Sequence, residues 1–203
     1  MTFYHGSPIG GLTELKPVLS EHGRAYVYFA TNPLVALLYA VKPVPKPFSF
    51  YPYGFDRNGN VVYSEYYEDA FYDLYHGRSG YLYECDDLKG LEAPTQINCA
   101  YTSALPVKVD RVTKIPDLRA FYVEQEERGL FRVKHRNEIS DREMDFVLGE
   151  LKKDVEKFAL YKSPGCEMSL FLWEHFPGVW GNCPHPLEHK REEQESDAGQ
   201  QQA

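Results

Sequence analysis

The chain is poor in cysteine, with four in 203 residues, and Cys85, Cys99, Cys166 and Cys183 lie far apart. A chain of this length builds its own core, so a disulfide scaffold is neither required nor suggested. It also lacks any apolar run approaching the ~20 residues of a membrane span. Its start, Met1 to Ser7, is polar and contains a histidine where a leader would be basic and then apolar. The expectation is a cytoplasmic protein, neither secreted nor membrane-spanning. Basic residues are in deficit, 22 Lys+Arg against 30 Asp+Glu for a formal net charge of −8. That balance argues against coating DNA or RNA, which rests on clustered cations and counterion release.

Several chemical motifs are missing as well. Gly10-Gly11 has neither the third glycine nor the strand-to-helix setting of a dinucleotide fingerprint and reads as a turn. His175, Cys183, His185 and His189 crowd near one end, but Pro184 and Pro186 separate them and no pair has zinc-finger spacing, so no metal is expected. His5 and Ser7 are too close on one strand end to be base and nucleophile of a hydrolytic triad. There is no internal repeat.

Aromatic residues are abundant: 16 Tyr, 12 Phe and 2 Trp. Such rings suit a binding site and a core equally well. Thr2-Phe3-Tyr4-His5 reads as a strand stopped by Gly6-Ser7-Pro8, and Ala25 to Ala30 as a second strand. Thr31 then caps a helix with Pro33 in its first turn, Leu34, Leu37, Leu38 and Val41 on one face, and Pro43 at its end. Residues 43–59 look irregular, with Asn58-Gly59 a turn. Further elements are a helix from about Glu65 to Tyr75, strands at Gly80 to Cys85 and Pro106 to Asp110, and a helix from Pro116-Asp117 to Gly129. Leu130 to Lys134 is a short strand. Ser140 with Glu143 opens a long amphipathic helix, and Glu167 to Phe176 is another.

Without regular βαβ alternation the pattern is α+β. The expected organisation is a domain over 1–135, a helical extension over 136–186 packed on it, and a tail over 187–203. The tail is too polar to offset its ordering entropy and is expected to be disordered.

One arrangement carries chemistry: a strand ending His5-Gly6-Ser7, the strand Tyr26-Val27-Tyr28-Phe29-Ala30, and a helix placing Tyr39 eleven residues after Tyr28. In order and spacing it resembles the ADP-ribosyltransferase superfamily, in its poly(ADP-ribose) polymerase-like and rifampin-transferase-like branch. The match is good over roughly the first 40 residues and loose at the strands Tyr81 to Cys85 and Val107 to Asp110. The resemblance implies a split β-sheet core with flanking helices, NAD as donor substrate, and transfer of one ADP-ribose to an unknown acceptor.

On this resemblance His5 would bond the adenosine-side ribose and Ser7 would help hold the nicotinamide carboxamide, while Tyr28 and Tyr39 would sandwich the pyridinium ring. Gly6 has no Cβ, so a flat carboxamide could approach its backbone, and Gly6→Val should exclude the ligand while leaving the fold near intact. Arg24 or Lys16 would approach the pyrophosphate, under a short loop such as Leu19 to Arg24. Family members often place a Glu on a later strand. Its counterpart falls near Ser103-Ala104-Leu105-Pro106, where no acid stands, and Leu105 fits single transfer better than chain elongation. Glu84 is the substitute candidate for this catalytic role beside His5 and Tyr28, with Glu65 or Glu68 as others.

The same residues also read as ordinary structure: a satisfied strand-end histidine, a turn and core tyrosines. A non-catalytic module that reads NAD, ADP-ribose or a partner protein is the alternative function. An RNA 2′-phosphate transferase of related fold would need a basic groove that this acidic chain does not display.

Overall fold

The computed structural model describes residues 1–19, 24–41, 52–93 and 99–181. The elements in chain order are β1 (Thr2–Ser7), β2 (Glu14–Leu15), β3 (Val18–Leu19), β4 (Ala25–Ala30), α1 (Pro33–Leu38), β5 (Tyr53–Phe55), β6 (Val61–Ser64), α2 (Ala70–Tyr75) and β7 (Gly80–Asp86). They continue with β8 (Ala100–Ser103), β9 (Val107–Lys108), β10 (Arg111–Ile115), α3 (Leu118–Glu127), β11 (Phe131–Lys134), α4 (Asp141–Lys157) and α5 (Glu167–His175). The chain is mixed α and β with antiparallel pairing throughout its main sheet. That sheet has the order β10-β7-β1-β4-β3, with β8 also pairing β4. Smaller sheets join β11-β6-β5 and β2-β9. No described helix is long and apolar enough to cross a membrane.

Two compact units divide the chain. The first holds Met1–Lys42, Gly54–Tyr63 and Phe71–Val133, and the second Pro43–Tyr53, Ser64–Ala70 and Lys134–Ala203. In the first unit, Phe3, Leu15, Val27, Phe29, Tyr83, Cys85 and Val107 form a buried cluster on one face of the main sheet. Burial pushes the Cys85 thiol up to about 11. Several tyrosines of this unit are buried. Tyr75 and Tyr122 are fully buried and donate their hydroxyls to the carbonyls of Leu38 and Leu34, each at 2.8 Å. Tyr83 likewise donates to Ile9 O at 2.7 Å. In the second unit the α4 stripe Met144, Val147, Leu151 and Val155 packs with Leu160, Leu172, Phe176, Val179 and Trp180.

Local capping chemistry accounts for several boundaries. Ser140 Oγ accepts from Glu143 N at 3.3 Å to open α4, and Asp117 Oδ1 accepts from Ala120 N at 2.9 Å to open α3. Gly129, at φ 70°, closes α3 in the left-handed conformation that a helix end favours.

Other expectations need correction. The first strand does not stop at Gly6, because Gly6 and Ser7 continue its pairing with Leu82 and Tyr81. Asn32, not Thr31, caps α1: its Oδ1 accepts from Leu34 N at 2.9 Å and Val35 N at 3.4 Å. The helix ends at Leu38, before Val41. The helix expected from Glu65 begins at Ala70 instead. Glu65 N donates to Lys134 O at 2.9 Å, and Asp69 adopts φ 57°, which no helix interior accepts. Pro106 to Asp110 contributes only the two-residue β9, and the longer β10 follows it. Part of the irregular stretch is a strand, Tyr53–Phe55, and Gly59 at φ 84° makes the expected turn. The aromatic residues 43–51, the loop 20–23 and the tail 187–203 lie outside the described residues.

Candidate functional site

The two flanks of β1 differ. Against β7 it is paired at every residue from Thr2↔Asp86 to Ser7↔Tyr81, but against β4 the pairing is Tyr4↔Ala30 alone. Backbone polar groups in an antiparallel strand alternate between its two edges. Asp87 N bonds Met1 O, so the odd residues of β1 face β7 and the even ones, Tyr4 and Gly6, face β4. By the same reasoning Thr31 N bonding Cys99 O turns the odd residues of β4 to β8 and the even ones, Tyr28 and Ala30, to β1. Continuing the Tyr4↔Ala30 register would set Gly6 opposite Tyr28, but the strands have parted there.

His5 spans the parting. Its Nδ1–H donates to the carbonyl of Tyr28 at 2.9 Å, which leaves Nε2 as the acceptor of the neutral ring. Burial lowers its pKa, opposed by that bond to Tyr28. The ring lies 6.2 Å from Phe29 and 6.4 Å from Tyr83, at the margin of the core.

Gly6 is buried for a reason the sequence does not reveal. A Cβ there would stand 1.9 Å from the carbonyl oxygen of Ala36 and 3.2 Å from Ala40 N. Helix α1 lies on the open face of the glycine, so the missing side chain admits the helix backbone. The expectation that Gly6→Val spares the fold is therefore corrected: any side chain here displaces α1. Its N–H and C=O, in the plane of the sheet, still face the parting.

Tyr28 and Tyr39 remain exposed, at 42% and 40%. Tyr28 is on β4 and Tyr39 is the C-cap of α1. Ser7 is buried, and its Oγ accepts from Ile9 N at 3.1 Å. Arg24 reaches the Tyr26 hydroxyl at 3.4 Å, and Tyr26 in turn donates to Glu92 at 3.3 Å. Glu84 sits on β7, with β1 between it and β4, and accepts from Arg111 Nε at 3.1 Å and an Arg111 terminal nitrogen at 3.0 Å. The structure thus gathers His5, Gly6 and Tyr28 at the parting and keeps Glu84 two strands from Tyr28. Glu65 belongs to the second unit, where its buried carboxylate meets His135 Nδ1 at 2.8 Å.

No family model, curated protein or solved structure matches this chain.

Sequence reasoning missed Glu92. It bridges Thr102, which pairs Tyr28, so the three stand in one row across the sheet with their side chains on one face. That face also carries Tyr26. Ser103 and Leu105, at the position where an acid was sought, close a local turn instead, Ser103 Oγ donating to Leu105 O at 2.9 Å. Among the described residues no group of three or more His, Cys, Asp or Glu is placed to hold a metal, and His185, His189 and Cys183 lie outside them.

Proposed function

We propose that the first unit binds NAD at the parting of β1 and β4 and transfers one ADP-ribose to an acceptor. The observation that carries this reading is the single Tyr4↔Ala30 pair, beyond which β1 and β4 do not pair at Gly6 and Tyr28, and the ring of Tyr28 is exposed. A carboxamide is a planar donor and acceptor, and the N–H and C=O of one extended residue match it. Tyr28 and Tyr39 offer ring faces to the cationic pyridinium, of order 0.5 to 2 kcal/mol each. Neutral His5, its Nδ1–H committed to Tyr28, accepts a ribose hydroxyl at Nε2.

Cleavage of the nicotinamide bond develops positive charge on the ribose, as in glycoside hydrolysis. Glu84 and Glu92 each stand two positions from β4, Glu84 across β1 and Glu92 across β8, and Glu92 is the less engaged of the two to face that charge: Arg111 holds Glu84 at two points, whereas Glu92 meets the Tyr26 phenol. The chain's task is to orient the donor, and the leaving group belongs to NAD. The test is incubation with NAD labelled in its adenylate half. Free nicotinamide with label on an acceptor is expected, and neither binding nor release would end the reading.

A second reading is a module that binds NAD or ADP-ribose without turning it over. It is favoured by the turn at Ser103 and Leu105, where no carboxylate enters. Tight binding with no nicotinamide release would select it.

A further inference from the structure

One cavity of the first unit, about 290 Å³, is lined by Pro8, Ala40, Val41, Arg78 and Ser79. Two of its lining residues are chain neighbours of candidate-site residues: Pro8 follows Ser7 at the end of β1, and Ala40 follows Tyr39 at the end of α1. Arg78 and Ser79 precede Gly80, where β7 begins, and a Cβ on Gly80 would come 2.7 Å from the Ala40 side chain. The close approach of these three chain segments creates the hollow.

Its chemistry suits an anion. Arg78 is exposed and makes no ion pair among the described residues, whereas Arg111 and Arg128 are held by carboxylates and Arg24 by Tyr26. The end of a helix would normally present bare carbonyls here and repel negative charge. In α1 the last three are occupied: Tyr75 donates to Leu38 O at 2.8 Å, and Tyr39 N and Ala40 N donate to Ala36 O and Leu37 O. Arg78 is held at its backbone, its carbonyl accepting from Leu118 N at 2.9 Å, and the guanidinium of the next residue, Arg119, is used elsewhere, over the Tyr72 ring at 5.1 Å. The volume is at the lower limit for a small-molecule pocket and fits a diphosphate group, not a whole dinucleotide.

We propose that this cavity is the phosphate subsite of the donor, with Arg78 as the ligand of the NAD pyrophosphate and Ser79 as a hydroxyl donor beside it. The inference rests on the NAD reading above and moves the pyrophosphate away from Arg24. A guanidinium recognises two phosphate oxygens at once, so removing it is expected to weaken binding about tenfold or more.

Titration calorimetry of the full chain with NAD, ADP and nicotinamide tests it. Arg78→Gln should weaken NAD and ADP to that extent and leave nicotinamide unchanged, while Arg57→Gln, which removes an exposed charge elsewhere in the same unit, changes none. Arg78→Lys should restore part of the loss. If Arg78→Gln and wild type bind ADP and NAD alike, the subsite is wrong, and nicotinamide binding still upholds the NAD reading. If ADP binds through Arg78 but nicotinamide does not bind the wild type, the phosphate subsite stands and the NAD reading falls. Should none of the three bind the wild type, both are overturned.

Discussion

Strand β1 meets two neighbours of similar composition and treats them differently. Both β7 and β4 are rich in tyrosine and apolar residues, yet β7 is paired at six positions and β4 at one. The difference does not come from strand propensity. On the β4 side the ring of His5 takes the Tyr28 carbonyl, a bond the Gly6 backbone would otherwise make, and α1 follows β4 at once and settles over Gly6. A side chain and a helix hold the flank open. The two carboxylates differ as well: Glu84, on the closed flank, is paired with Arg111, and Glu92, beyond β8 in the row of Tyr28, meets a phenol.

The largest expected effect comes from filling Gly6. Gly6→Val drives a side chain into the backbone of α1, so destabilisation of at least about 3 kcal/mol is expected, beyond ordinary overpacking. Denaturant unfolding measures it, and a variant as stable as wild type would mean that α1 does not sit on the glycine. Next is Glu92→Gln, which should keep NAD affinity and lower nicotinamide release ~100-fold, the usual loss for one preorganised electrostatic contact. Glu84→Gln should leave release unchanged, and equal effects from the two carboxylates would erase the contrast between them. Tyr28→Ala, at an exposed position, should cost about tenfold in NAD affinity by calorimetry with little change in melting temperature.

The smallest effect is one of pH. The pKa of folded His5 is lowered by burial, so below about 6.5, the value for a free histidine, the unfolded chain takes up its proton first. The contribution of His5 to stability is therefore full above pH 6.5 and is lost as the pH falls through the folded value. Stability of His5→Gln relative to wild type should improve between pH 7 and pH 5. A constant difference across that range would show that the ring is not buried.

Much of the fold is legible where the signal is local. Ser140, Asp117, Pro33 and Gly129 mark helix ends because a cap is made within a few residues of its own position. The two-residue strands β2, β3 and β9 carry no periodicity to read. Glu65 fails for another reason: Asp69 in the left-handed region ends any helix that propensity would start there. The candidate site divides in the same way. His5, Gly6, Tyr28 and Tyr39 lie on consecutive elements and are visible as a spaced motif. Glu92 is not, because its partner Tyr26 is 66 residues away and only the pairing of β8 brings them together. The role of Gly6 is likewise invisible, since an absent side chain looks the same whether it admits a ligand or a helix.

Cys85 gives the molecule a built-in clock. Its thiol is wholly buried in the β1–β7 face of the core, and with a pKa of about 11 only about one molecule in a thousand carries the reactive thiolate at pH 8. Cys99 and Cys166 are less buried. An alkylating reagent should therefore mark those two early and reach Cys85 only when the core opens. The rate of that last modification reports how often the first unit unfolds, and its slowing by NAD would measure donor binding without any turnover.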